Sequence, residues 1–145
     1  MAKTERKRTT TTARKSPEAA RGRKLTGEIA KAVKAALDKK AIDVVVLDLR
    51  HTPAFTDFFL LCSGQNTRQV HAIADAVEEA LRRDHVKPAH VEGYGHAEWV
   101  LLDYFDFIVH VFGKETRTFY GLERLWGSAT PVDVSSVVAP PARRV

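Results

Sequence analysis

The sequence has one cysteine and no apolar segment approaching the roughly 18 residues that a membrane-spanning helix needs. The lone Cys62 cannot form an internal disulfide, which is typical of proteins in the reducing cytoplasm. The N-terminus lacks both the apolar segment of a secretory signal and the amphipathic face of a transit peptide. We therefore expect a cytoplasmic protein without a membrane span and, at 145 residues, a single domain.

Positive charge is concentrated at the N-terminus. Residues 1–24 hold nine Lys or Arg and two Asp or Glu, whereas residues 25–127 hold twelve Lys or Arg and fifteen Asp or Glu. Few apolar residues and high charge predict a disordered basic tail over 1–24, suited either to non-specific contact with rRNA or to solubilising the chain. The Pro-rich residues 128–145 predict a second flexible tail, so the folded domain is predicted over 25–127.

The apolar spacing between the two tails predicts an α/β fold. Helices are predicted over residues 25–40 with Thr26 as N-cap, over 66–84 and over 116–126. Strands are predicted over 42–49, 57–63 and 89–92, followed by the two arms of a hairpin within 99–112. This order, α-β-β-α-β-β-β-α, predicts a mixed sheet of about five strands flanked by helices.

The hairpin sequence WVLLDYFDFIVHVF places two aspartates and a histidine among apolar residues. With Tyr104 and Phe105 as a two-residue loop, Trp99 would lie opposite His110. This loop also places Asp103 opposite Asp106, and the repulsion between these like charges favours a loop one residue wider. One face is then apolar, with Val100, Leu102, Phe107, Val109 and Val111. The other face combines Trp99, Leu101, Ile108, His110 and Phe112 with Asp103 and Asp106 at one end. This mixed composition fits either a partner-binding surface or a second core layer under a helix.

Three patterns raise the question of catalysis. The strand–Ser63–Gly64–helix turn could cradle a phosphate, but one glycine with no following Lys-Ser/Thr favours a tight turn. Asp103 and Asp106 are three residues apart, whereas two carboxylates that share metal ions on one strand need a spacing of two. No base and orienting group is placed beside Cys62 or Ser63. We therefore expect no catalytic residue, no metal and no cofactor.

Three segments resemble the ribosomal silencing factor (RsfS, Iojap-like) family: TDFF…SG…RQV, WVLLDYFDFIVH and FYGLERLWG, in the family's order and spacing. The resemblance covers about residues 25–127. Phe105 departs from the family pattern, in which many members carry a small residue at that turn.

The resemblance implies a non-enzymatic protein with a nucleotidyltransferase-like mixed sheet. It implies binding to large-subunit ribosomal protein fourteen, a block on subunit joining and lower translation under nutrient limitation. The implied contact surface is the hairpin, with Trp99, Leu101, Tyr104, Asp106, Ile108, His110 and Phe112. Three alternatives stay open: a homodimer, a role in large-subunit biogenesis, and a nucleotidyltransferase-like enzyme that uses the Ser-Gly turn with Asp103 and Asp106.

Overall fold

The computed structural model describes residues 27–120 and 129–134, with the side chains of 118–120 excepted. Within these residues the helices and strands occur in this order along the chain: α1 (Gly27–Asp38), β1 (Ile42–Asp48), β2 (Phe58–Gly64), α2 (Thr67–Arg82), β3 (His90–Glu92), β4 (Trp99–Asp103), β5 (Phe107–Gly113), α3 (Lys114–Tyr120) and β6 (Thr130–Val132). The predicted N-cap Thr26 and residues 121–126 of the last predicted helix lie outside the described part of the chain.

The described strands form one sheet in the order β3-β4-β5-β2-β1-β6. The central β2–β5 pair is parallel and the other pairs are antiparallel. The predicted mixed α/β sheet flanked by helices is therefore confirmed, with six strands rather than about five.

The sixth strand lies inside residues 128–145, which were predicted to be a flexible tail. Over Thr130–Val132 that prediction is wrong, because these residues pair with β1 and Val132 is buried against the core. Among the described strands β6 lies at an edge of the sheet. Proline is tolerated in edge strands, where an N–H that faces away from the neighbouring strand makes no ladder bond.

Helices α1 and α2 cover one face of the sheet and form the main core. Their inward residues are apolar at helical spacing, as predicted, and they pack on the apolar hairpin face; the buried set includes Ile29, Val33, Val70, Ile73, Val77, Val100, Leu102, Val109 and Val111. Asn66 caps α2, since its side chain accepts the backbone N–H of Gln69 at 2.9 Å. The side chain of Gln69 in turn accepts the N–H of Gln65 at 2.6 Å.

The hairpin register differs from the prediction. Trp99 pairs with Phe112 and Leu101 pairs with His110, and the N–H of Tyr104 donates to the carbonyl of Phe107. The predicted two-residue loop would have placed Asp103 opposite Asp106, and the wider turn avoids this repulsion by placing Asp103 opposite Ile108. The shift is an even number of residues, so both predicted faces keep their members.

Gly64 ends β2 where the strand passes closest to α2. A Cβ atom at this position would lie 2.9 Å from the backbone nitrogen of Val70 and 3.0 Å from its Cγ2. The space that the missing side chain leaves is therefore filled by the following helix. Gly64 permits close packing of the strand against the helix, which is the tight turn that the sequence favoured.

Replacing Gly64 should test this packing role. We expect Gly64→Ala to lower the free energy of unfolding by about 1–3 kcal/mol, because the helix must move away from the strand. Gly95→Ala is the matched control: nothing lies within 4 Å of its Cβ position, so the change should be neutral or slightly stabilising. Urea denaturation compares the two, and equal midpoints for both variants would contradict the packing role.

Candidate partner-binding surface

The sheet face opposite the helices carries a second, smaller apolar cluster. It contains Leu47, Leu49, Phe59, Leu61 and Phe112, with Trp99 and Ile108 partly buried against them. Part of the predicted contact surface therefore belongs to a second core layer, while its role in binding a partner stays a prediction. We call Trp99, Leu101, Asp103, Ile108, His110 and Phe112 the β4–β5 face.

The side chains of the β4–β5 face differ in how far they reach solvent. Trp99, Leu101 and Ile108 are half-buried, whereas His110 is 4% and Phe112 1% exposed. The two buried residues support the face from below and cannot themselves make wide contact with a partner. The exposed aromatic and aliphatic surface comes mainly from β4, the strand next to the short edge strand β3.

Tyr104 does not belong to the β4–β5 face, and the structure corrects this prediction. Its side chain lies in the main core on the helix side, 8% exposed, with its ring stacked on Phe107 at 5.1 Å between centroids. Burial raises the pKa of its hydroxyl well above the ordinary range, with a smaller contribution from the charge of Glu78. Position 104 lies two residues after Leu102 and four after Val100, so the strand alternation itself places Tyr104 on the helix side with them.

The indole of Trp99 is held in place by His110. Its Nε1–H donates to Nδ1 of His110 at 3.0 Å, which assigns the proton of the neutral imidazole to Nε2. The imidazole lies edge-on to the ring of Phe59 at 4.5 Å and within 6.1 Å of Phe112. Among the described residues its Nε2 has no hydrogen-bond partner, and burial lowers the pKa of His110 to about 4. A neutral histidine therefore fixes the orientation of the tryptophan on this face.

The two hairpin aspartates shape the turn. Oδ1 of Asp103 accepts the backbone N–H of Phe105 at 2.9 Å, and the backbone N–H of Asp106 donates to the carbonyl of Tyr104 at 2.9 Å. Asp106 is exposed and Asp103 is half-buried. In the part of the chain that the structure describes, no three His, Cys, Asp or Glu side chains are grouped to hold a metal.

The groups considered for phosphate binding and nucleophilic catalysis have structural contacts instead. Ser63 is 1% exposed and its Oγ accepts a hydrogen bond from Nη1 of Arg117 at 3.2 Å. Burial raises the pKa of the Cys62 thiol to about 12, which opposes the thiolate form. The N–H groups of Gln65 and Gln69 at the start of α2 are already bonded within the turn. These two donors are therefore not available to a phosphate.

A groove in the described region lies away from the β4–β5 face. It has a volume of about 930 Å³ and lies between α1 and α2, with alanines such as Ala35, Ala72 and Ala76 between charged side chains. Lys31 and Asp84 form an ion pair at the groove. None of the predicted contact residues lines it.

Two exposed aromatic residues were not predicted as contact residues. Phe55 and Phe105 are the most exposed large apolar side chains among the described residues. Phe55 stands in the loop HTPAFTD, outside any periodic apolar pattern, and this isolation is the sequence signal that could have indicated it.

No helix among the described residues is both long and apolar enough to span a bilayer.

The chain is similar in sequence and in structure to proteins of one family. The sequence model described as "Ribosomal silencing factor during starvation" matches residues 23–144. The protein named ribosomal silencing factor RsfS in Halalkalibacterium halodurans is 42% identical over 74% of this chain and 92% of its own length. The protein of the same name in Bacillus subtilis is 39% identical over 67% of this chain and 82% of its own length. A crystal structure from Bacillus halodurans, 40% identical, superposes with a TM-score of 0.66 and covers 73% of this chain and 96% of that one.

The pH dependence of the free energy of unfolding tests the burial of His110. Its pKa is about 4 in the folded state against an ordinary 6.5, so the unfolded chain takes up this proton first as the pH falls. The free energy of unfolding should therefore decrease between pH 6.5 and about pH 4, by up to about 3 kcal/mol, and this contribution should level off below. Urea denaturation at pH 7, 5.5 and 4.5 measures the effect. The free energy of unfolding of His110→Gln, which cannot take up a proton, should depend less steeply on pH. A pH dependence as steep as that of the wild type would contradict the lowered pKa of His110.

Proposed function

Because the chain belongs to the ribosomal silencing factor family, we propose that it binds the large ribosomal subunit and prevents the small subunit from joining it. The proposed partner is large-subunit ribosomal protein fourteen, and the proposed outcome is lower translation when nutrients are limited. Such a function requires no bond to be made or broken. A folded protein of this size that covers part of the intersubunit surface excludes the other subunit by volume alone.

The observation that carries this proposal is the β4–β5 face. It presents Trp99 and Leu101 half-exposed on a strand whose other side is fixed in the main core through Val100 and Leu102. The bond from Trp99 to His110 orients the indole before any partner arrives. A pre-oriented aromatic side chain loses little conformational freedom on binding, which is a property of interface hot spots.

The charge of the domain also suits a basic ribosomal protein. Residues 25–127 carry fifteen Asp or Glu against twelve Lys or Arg, and Asp103 and Asp106 lie at one end of the hairpin. These carboxylates would attract a cationic protein surface and repel bare phosphate. The predicted rRNA contact through the basic residues 1–24 would then be separate from the protein–protein contact, and weaker at high salt.

A nucleotidyltransferase-like enzyme is the alternative of a different class. It would use the Ser-Gly turn and Asp103 with Asp106, but Ser63 is buried against Arg117 and Asp103 is engaged in the hairpin turn. Calorimetric titration with nucleoside triphosphates and Mg²⁺ separates the two functions. Magnesium-dependent nucleotide binding that Asp103→Asn abolishes would favour the enzyme.

A role in large-subunit biogenesis is the alternative that shares the same partner. It would bring the chain to immature subunits, whereas a block on joining requires binding to mature ones. Subunit-joining assays with purified mature subunits separate these two roles, because only the blocking function lowers the yield of joined ribosomes when the protein is added.

The two sides of β4 provide the main test. We expect Trp99→Ala to weaken binding to isolated large subunits by about 2 kcal/mol, the scale of a buried aromatic hot spot. Val100→Ala, one residue along, should instead lower the free energy of unfolding by about 1–3 kcal/mol and leave the folded fraction competent to bind, because its side chain lies in the main core. Co-sedimentation with large subunits beside urea denaturation measures both effects.

Trp99→Phe is the control for loss of the bond to His110. It removes the N–H donor and keeps an aromatic ring, so it should bind better than Trp99→Ala while losing the same hydrogen bond. If Val100→Ala abolished binding by folded protein while Trp99→Ala bound normally, the β4–β5 face would not be the contact surface.

A further inference from the structure

We propose that Phe55 and Phe105 form a two-residue apolar anchor that inserts into a basic protein surface of the large subunit, beyond the β4–β5 face. This inference rests on the proposed function, because it concerns the same partner. It assigns a contact role to a second part of the molecule, namely the turns at the end of the sheet where β2 and β5 begin.

The two rings are unusually exposed for their size. Phe55 is 104% and Phe105 is 70% exposed, whereas the other large apolar side chains noted as exposed, Val91 and Tyr94, stay below 40%. A phenylalanine ring can bury roughly 150–250 Å² in an interface. Two exposed phenylalanine side chains on adjoining segments offer the kind of apolar area that marks interaction sites on protein surfaces.

The structure brings the two turns together. Strands β2 and β5 run parallel and start with the pair Phe58 and Phe107, so the segments that precede them emerge at the same end of the sheet. Hydrogen bonds join these segments directly. The hydroxyl of Thr56 donates to the carbonyl of Phe105 at 2.8 Å, and the N–H of Asp57 donates to the carbonyl of Asp106 at 3.0 Å. The residue next to Phe55 is therefore bonded to Phe105 itself.

Hydrogen bonds within the loop that carries Phe55 fix its conformation. Its first residue, Leu49, donates its N–H to the carbonyl of Asp57 at 2.8 Å, and Thr52 bonds back to Leu49 through both its N–H and its hydroxyl. At the end of β1 the buried carboxylate of Asp48 accepts two hydrogen bonds from the guanidinium of Arg50, at 2.9 and 2.7 Å. Burial by itself would raise the pKa of Asp48, but these bonds outweigh it and hold that pKa below the ordinary value. Phe55 thus projects from an ordered loop.

Phe105 occupies a backbone conformation that disfavours it. Its φ is +77°, in the left-handed region where glycine and asparagine are the residues at ease. A bulky apolar residue that is strained and exposed contributes nothing to the main core. Strained residues of this kind are concentrated where the surrounding structure holds them for a function.

The charges around the anchor indicate a protein partner rather than RNA. The neighbouring carboxylates of Asp57, Asp103 and Asp106 would repel phosphate, while the cation of Arg50 is already paired with Asp48. The anchor is also continuous with the β4–β5 face: Ile108 belongs to that face, and Ala54 beside Phe55 packs against the same second cluster. One basic protein surface that covers the face would therefore reach both rings.

Substitutions that spare the fold test the anchor. We expect Phe55→Ser and Phe105→Gly each to weaken co-sedimentation with purified large subunits about tenfold or more, the scale of an aromatic hot spot. Phe105→Gly should at the same time keep or raise the melting temperature, because glycine relieves the left-handed strain. Val91→Ser, a change to another exposed apolar residue on the edge strand β3, is the matched control and should bind as the wild type does.

Each contrary result has a definite meaning. If both phenylalanine variants bound as tightly as the wild type while Trp99→Ala bound weakly, the anchor would be overturned and the proposed function would stand. If the wild-type protein itself failed to bind large subunits, the proposed function would fail and the anchor with it. Unchanged subunit binding with altered self-association in sedimentation velocity would assign the rings to a second copy of this chain. An equal loss of binding to protein-free rRNA would assign them to RNA, and either result overturns the inference.

Discussion

The parallel pairing of β2 with β5 at the centre of the sheet is the constraint on which the other features depend. Seven consecutive residue pairs, from Phe58–Phe107 to Gly64–Gly113, join two segments that are far apart in the chain. A parallel pair requires a long crossover, and α2 with β3 and β4 supplies it. The pairing also fixes what lies at each end of the sheet: two exposed phenylalanines where the strands begin, and the buried contact of Ser63 with Arg117 where they finish.

The two faces of this sheet have different physical roles. One is covered by α1 and α2 and forms the main core, so its substitution is expected to affect folding first. The other is a thinner layer in which buried residues support half-exposed ones. His110 illustrates the arrangement: burying a neutral imidazole whose Nε2 has no partner in the described region opposes folding, and in return its Nδ1 orients the indole of Trp99. A core residue thereby determines how the surface is presented.

The residues that made the sequence look like an enzyme take part in the architecture. Gly64 leaves room for Val70, Ser63 accepts a bond from Arg117, and Asp103 closes the hairpin turn. Each of these residue types also occurs in phosphate and metal sites, since tight turns and strand ends need the same small or acidic side chains. Whether such residues bind a ligand depends on the space around them and on hydrogen-bond donors that are not already bonded. Both depend on packing and not on the order of residues in the chain.

Local patterns were enough to predict the type and order of the helices and of the first five strands, and which side chains share each face of the hairpin, because these follow from periods of two and 3.6 residues along a short segment. The same local patterns did not predict the hairpin register, the strand at Thr130–Val132, or the hydrogen bond that joins Thr56 to the carbonyl of Phe105. These three features depend on pairing between segments, or on the exact width of one turn, which local periodicity does not encode. The faces were nevertheless predicted correctly, since a shift of two residues returns every side chain to the same side of a strand. The members of each hairpin face could thus be predicted from a local pattern, whereas the depth at which each of these side chains lies follows from tertiary packing.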